Sequence, residues 1–440
     1  MRNVLKSVVL AVLLCAGLIS ASAFAEINWK QSQGTEIRFL MNKHPFTTYI
    51  EPKVAEFEKL TGIKVVIEAF PEDQYRNKLT IELNSGGKVD GYMIMPGQDD
   101  LYYSKAGWLQ PLDAYIADPK LTDPTWDPKD FFASFAKASS VDGKQIGIVI
   151  NAETSLLAYR KDLFTKFKQN VPTTMKELEQ VAKYFHGKEV DGKKLVGITL
   201  RGKKAAATSQ WVDFQWVDFL YSFGGSWTNA QGQSNFASPE DIAAFKFYGD
   251  LLRLYGPQGG TMLHWAESTS SFMEGKAAMI YDANVFKSLY ENPKESKVAG
   301  QVGYAVIPAG PKGLRLPHVS NWSLSISKAS TPERQKAAWL FVQWATNKEN
   351  GLGALLAGVP SGRISSWASK EYKAGDKQPD WTAATMKSFD IGQGQWNPPV
   401  INVPEIRDIT GQVIVDAIEG KDVAESARKA AELMDKKMER

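Results

Sequence analysis

Sulfur is almost missing from this sequence. One cysteine, Cys15, stands near the start of 440 residues, so no disulfide can form within the chain. Charge of one sign is missing too. The 52 basic and 49 acidic residues leave a formal net charge of +3, which excludes the strongly basic footprint of a nucleic-acid partner. No apolar run reaches the roughly 18 residues of a spanning helix. The motifs of common catalysis are absent: no G-x-S-x-G elbow, no P-loop, no G-x-G-x-x-G after a strand, no H-E-x-x-H. The four histidines, His44, His186, His264 and His318, show no ligand spacing, so neither a metal nor another cofactor is expected. Tyr102-Tyr103 resembles the adjacent tyrosines of ferric-ion binders but has no His or acidic partner in register.

The first 25 residues have a basic head (Arg2, Lys6), an apolar run from Val8 to Leu14 and a small-residue end. Ala23 and Ala25 occupy the minus-three and minus-one positions of an A-x-A cut. This pattern predicts a secretory signal peptide cleaved after Ala25. Leu14, before Cys15, is too large for a lipid-attachment site. Cleavage removes Cys15 and two basic charges, and an exported chain without cysteine fits the bacterial periplasm. The remaining length exceeds the ~250–300 residues that one core supports, so two lobes are expected.

Strands and helices alternate from the start. Glu36–Met41 reads as a strand, Tyr49–Leu60 as a helix stopped at Thr61-Gly62, and Ile63–Phe70 as a second strand. A helix follows over Glu72–Ser85, then a third strand over Gly91–Met95. A βαβαβ order predicts a mainly parallel, helix-covered sheet. Thr174 with Glu177 spells a capping box. Ser238-Pro239 and Thr331-Pro332 each pair an N-cap with proline at the first helical position. A charged helix begins near Asp422. No flexible tether separates the lobes, so short ordered crossings must join them. Ligands bind at such boundaries and outside the carboxyl ends of strands.

Six blocks in order resemble extracellular solute-binding proteins of the family 1 type, the maltose-binding-protein-like receptors of ABC importers. They are AEFEKLTGIKVVIE (55–68), GWLQPLDAYI (107–116), SLLAYRKDLF with PTTMKELEQVAK (155–164, 172–183), SFMEGKAAMI (271–280), VGYAVIPAGPKG (302–313) and AAWLFVQWAT (337–346). The resemblance implies an α/β, periplasmic binding protein-like fold: two α/β lobes joined by a three-crossing hinge. Crossings are expected near Asn151–Thr154, Asp282–Val285 and Trp344–Lys348. One lobe then holds 26–152 and 285–344, the other 154–281 and 348–440. It also implies a non-enzymatic, monomeric receptor that passes a small carbohydrate-like ligand to ABC permease subunits.

A sugar has apolar C–H faces and a hydroxyl rim, so its site pairs aromatic platforms with polar side chains. Where the resemblance places the cleft, candidates are Asn42, Lys43 and His44 after the first strand and Gln98 and Asp99 after the third. Asp100 follows the third strand too, with a cap of the next helix as its alternative role. Glu153 falls at the first crossing, and Trp211 and Phe214 in an aromatic stretch, with Trp216 assigned to the core. Asp282 and Asn284 stand where relatives carry tryptophan. Asn321 and Trp322 precede a strand, Arg363 ends a GVPSGR loop, and Trp396 is a weaker candidate. The departures from the maltodextrin pattern favour a monosaccharide, sugar alcohol or small glycoside, while Lys43, His44 and Arg363 leave an anionic derivative open. Three alternatives stand beside this reading: a secreted carbohydrate-active enzyme with two carboxyls flanking its sugar, a metal or oxyanion receptor on the same scaffold, and a sensory receptor.

Overall fold

The computed structural model describes residues 27–204, 212–401 and 403–438. The proposed signal peptide and Trp211 lie outside them. The first lobe is built on β1 (Glu36–Asn42), β2 (Lys64–Phe70), β3 (Gly91–Ile94), β4 (Ile148–Val149) and β10 (Ser323–Ile326), in the order β2-β1-β3-β10-β4. The second is built on β5 (Glu153–Arg160), β6 (Val196–Thr199), β7 (Ala277–Ala283) and β8 (Val302–Ala305), in the order β6-β7-β5-β8. The short β9 (Val319–Ser320) adds to β5.

The opening βαβαβ unit is parallel, with Ile37 opposite Val65 and Phe39 opposite Gly91. Gly91 is required there, because a Cβ would lie 2.2 Å from the Phe39 ring. The sheets are otherwise mixed. Strands β5 and β10 enter their lobes from the cleft and run away from it, opposite to β7 and β3.

Local signals explain most helix ends. Thr174 and Glu177 form the reciprocal capping box of helix Met175–Phe185. Ser238, Thr331 and Asp422 accept backbone N–H groups at the starts of Pro239–Tyr255, Pro332–Ala345 and Val423–Lys437. Gly62 closes Val54–Thr61 with φ of 71°. The single helix expected over Tyr49–Leu60 is instead two, Pro45–Ile50 and Val54–Thr61, separated by a 3-10 turn at Glu51–Lys53. Pro52 has no N–H to continue the helical ladder. Helix Pro332–Ala345 is buried from Ala337 onward and sets Phe341 edge-on to Phe39, 4.8 Å between centroids. Tyr103 is likewise core, packed on Trp108.

The connections differ from expectation at two of the three crossings. The first runs through Ile150–Ala152, where Ile150 N donates to Trp322 O and Ala152 N to Pro360 O. The second is not at Asp282–Val285, since β8 still pairs with β5 in the second lobe. The chain crosses between β9, paired to Glu153–Thr154, and β10, paired to β3. The third lies beyond Trp344–Lys348. Arg363 and Ser365 remain bound to Asp130 of the first lobe, whereas helix Pro379–Ile391 packs on β8 and β5 of the second. A run of short helices carries no hydrophobic pattern that distinguishes the lobe it serves.

Candidate functional site

A narrow pocket of about 40 Å³ lies between the lobes, at the carboxyl ends of β1, β3, β6 and β7. Asn42, His44, Met95 and Gln98 reach it from the first lobe. Arg201, Phe214, Trp265, Phe286, Trp396 and Arg407 reach it from the second. Glu153 and Trp322 reach it from the crossings.

Two backbone features set the first-lobe wall. His44 caps helix Pro45–Ile50, its Nδ1 accepting the Phe46 N–H at 3.1 Å. That leaves the Nε2 proton to point at Glu153 Oε1, 2.9 Å away. Asn151 Nδ2 donates to the same oxygen at 2.6 Å, and Asn151 Oδ1 accepts the Trp322 N–H at 2.9 Å. One network thus fixes the histidine tautomer, the carboxylate and the tryptophan together. The Trp322 ring is flanked by the Arg76 guanidinium, 5.0 Å from its centroid, and by His44 at 6.0 Å. Asn42 Oδ1 is buried and accepts no hydrogen bond from the described protein. A ligand hydroxyl donor would relieve the roughly 1–3 kcal/mol such an atom costs.

The second-lobe wall carries two arginines. Arg201, just past β6, is gripped by both Asp282 oxygens and lies 4.6 Å over the Phe214 ring. Burial works against its charge, and the Asp282 carboxylate overcomes that and raises its pKa. Arg407, on helix Val403–Ile418, donates through Nη1 to Gln98 Oε1 at 2.7 Å, and its guanidinium lies 5.4 Å from the Trp396 centroid. Trp396 comes close to the first lobe at Gly97, whose φ of 83° suits glycine. A Cβ there would lie 3.1 Å from the indole nitrogen.

The structure brings Asn42, His44, Gln98, Glu153, Phe214, Trp322 and the weaker candidate Trp396 to this pocket. Seven other candidates lie elsewhere. Lys43 is exposed and borders a neighbouring pocket. Asp99 is committed to Arg76, at 2.9 and 3.1 Å, and to the Met95 N–H. Asp282 stands one layer back, holding Arg201. Asn284 staples the first crossing, accepting from Thr154 N and donating to Ala152 O. Asn321 donates to the Ser139 and Ser323 hydroxyls. Arg363 is buried against Phe131, ion-paired to Asp130 and bonded to Thr346 O. Asp100 turns back on the Gly97 N–H, and burial pushes its carboxyl up to about 6. Trp216 is core, stacked on Phe245 at 4.2 Å.

Sequence reasoning missed Arg201, Arg407, Glu72, Trp265 and Phe286. Arg201 follows a strand end and was accessible to the carboxyl-end rule. Nothing local marks Arg407, which sits in the middle of a helix.

Two lobes, a three-stranded connection and an aromatic, hydrogen-bonding pocket at strand ends define a hinged solute receptor. The chain belongs to the bacterial extracellular solute-binding protein family, whose pattern it matches over residues 43–352. It is 28% identical over 350 residues to the erythritol/L-threitol-binding protein of Mycolicibacterium smegmatis, covering 76% of this chain and 71% of that one. It is 28% identical over 384 residues to the mannitol-binding protein of Pseudomonas aeruginosa, covering 84% of each. The fold matches an Agrobacterium vitis ABC transporter solute-binding protein with bound D-mannitol. The TM-score is 0.80 and the identity 28%, covering 91% of this chain and 98% of that one.

Proposed function

We propose that this chain is the exported receptor of an ABC importer for a small uncharged polyol or monosaccharide. The carrying observation is that the charged side chains lining a small aromatic pocket already have partners within the protein. Glu72 is paired with Arg76, Glu153 with His44 and Asn151, Arg201 with Asp282, and Arg407 bonds Gln98. An anionic ligand would need a cation that the protein does not already engage. A polyol instead needs donors and acceptors beside ring faces, which Asn42, Glu153, Trp322 and Phe214 supply. Relatives that take erythritol, threitol and mannitol support the same chemistry.

The lobes close on a ligand that touches both, because it binds the closed state better. The closed pair then docks on the membrane permease. The protein works in the periplasm after loss of residues 1–25, as a monomer without metal or cofactor, and makes or breaks no bond in its ligand. Among the described residues, no group of three or more His, Cys, Asp or Glu is placed to hold a metal, and no helix is long and apolar enough to cross a membrane.

A thermal-shift screen of four- to six-carbon polyols, aldoses, sugar acids and maltodextrins tests this. A polyol or monosaccharide should raise the melting temperature by linkage and be recovered intact. A response confined to sugar acids would overturn the uncharged ligand. Recovery of a cleaved glycoside would favour hydrolysis by Glu72 and Glu153, the two carboxylates among the described residues that line the pocket.

A further inference from the structure

The ligand pocket has neighbouring spaces in the interlobe cleft, one past Trp396 and one past Trp265. The ligand pocket described above is narrow, and past Trp265 lies a wider space of about 330 Å³. This wider space is bordered by Lys43, Thr48 and Tyr49 of the first lobe, Ser288, Leu289 and Asn292 of the second, and Val359. Two residues, Pro45 and Trp265, border both spaces. One approaches from each lobe, so together they form the partition.

We propose that Trp265 is the size filter of this receptor: its indole ends the ligand pocket and keeps chains longer than one sugar unit out. The inference rests on the polyol reading above and adds the residue that limits ligand length. The ring is well placed to act as a fixed wall. Trp265 is the first residue of helix Trp265–Met273, and the preceding His264 caps that helix through a box with Glu267. The indole stacks on Phe286, with centroids 5.1 Å apart and planes at 15°, and the His264 ring lies 5.3 Å away. Opposite it, Pro45 is held at the first position of helix Pro45–Ile50, its φ locked by the ring. A wall anchored at two helix starts resists displacement by a longer ligand. The wider space beyond it, edged by Lys43, Thr48, Asn292 and Glu295, offers hydroxyl partners to a second sugar unit once the indole is gone.

The test is calorimetric titration of the full mature chain with ribitol, mannitol, glucose, maltose and maltotriose, for the wild type, Trp265→Ala and Trp265→Leu. The wild type should bind a member of the first three and neither maltodextrin. Trp265→Ala should weaken that binding by about tenfold, the equivalent of one lost contact, and acquire maltose binding. Trp265→Leu keeps apolar contact with Phe286 and covers the case in which the alanine variant does not fold. It should shift the limit in the same direction. Folded variants that keep the wild-type limit would overturn the filter, as would a wild type that already takes maltose. A wild type that binds none of the series would overturn the polyol reading, and the filter with it. A filter failure alone leaves wild-type polyol binding intact, so the two failures are distinguishable.

Discussion

Arg407 and Gln98 stand 309 positions apart and meet across the cleft, Arg407 Nη1 donating to Gln98 Oε1 at 2.7 Å. The bond joins the lobes directly, so it stabilises the closed form and not the open one. A charge-assisted bond of this kind contributes about 1.5–3 kcal/mol. Gln98→Ala should therefore speed ligand dissociation by at least about tenfold while slowing association little. Stopped-flow tryptophan fluorescence reads both rates, and an unchanged dissociation rate would count against the latch.

Glu153 is oriented by His44 and Asn151, and its Oε2 makes no hydrogen bond to a described residue. That oxygen is the acceptor offered to a ligand hydroxyl. Glu153→Gln keeps the shape but replaces one acceptor with a donor. Affinity for the best polyol should fall by roughly 10- to 100-fold, one mismatched buried hydrogen bond. Isothermal titration of the variant checks this, and wild-type affinity would remove Glu153 from the site.

Two buried arginines should respond differently to the same change. Arg363→Ala removes the cationic partner of the largely buried Asp130 side chain and a guanidinium packed on Phe131. Such a break costs about 3–5 kcal/mol of stability, with little effect on affinity in whatever fraction remains folded. Arg201→Ala leaves Asp282 unpaired too, but it also opens the pocket wall at Phe214. It should lower both stability and affinity. Chemical denaturation and titration, run side by side, separate the two cases.

Asp241 supplies a pH signature. It is fully buried at the start of helix Pro239–Tyr255, bonded to Ser238, Ser226 and Asn235, and burial pushes its carboxyl up to about 7 from an ordinary value of 3.8. Between those values the folded state holds the proton more tightly than the unfolded chain. The contribution of this group to stability is therefore largest below about pH 4 and declines as pH rises towards 7. Asp241→Asn removes the titration. The melting temperature of the variant minus that of the wild type should increase from pH 4 to pH 8. A flat difference across that range would show that Asp241 is ionised in the fold throughout.

The sequence by itself determined the alternation of strands and helices, the caps at Thr174, Ser238 and Thr331, and the division into two lobes. Each of these depends on residues within a few positions of one another, or on chain length. It also placed Asn42, His44, Gln98, Glu153 and Trp322 near strand ends and crossings, where open α/β sheets put their ligands. The tertiary structure decided which polar groups face the pocket and which face the protein. Asp99 and Arg363 carry the same chemistry as Glu153 and Arg201, but Arg76 and Asp130, brought in by packing, engage them elsewhere. The route of the crossings and the arrival of Arg407 and Trp265 were settled there too. Those contacts join segments up to three hundred residues apart, and no local pattern encodes a meeting made only when two lobes close.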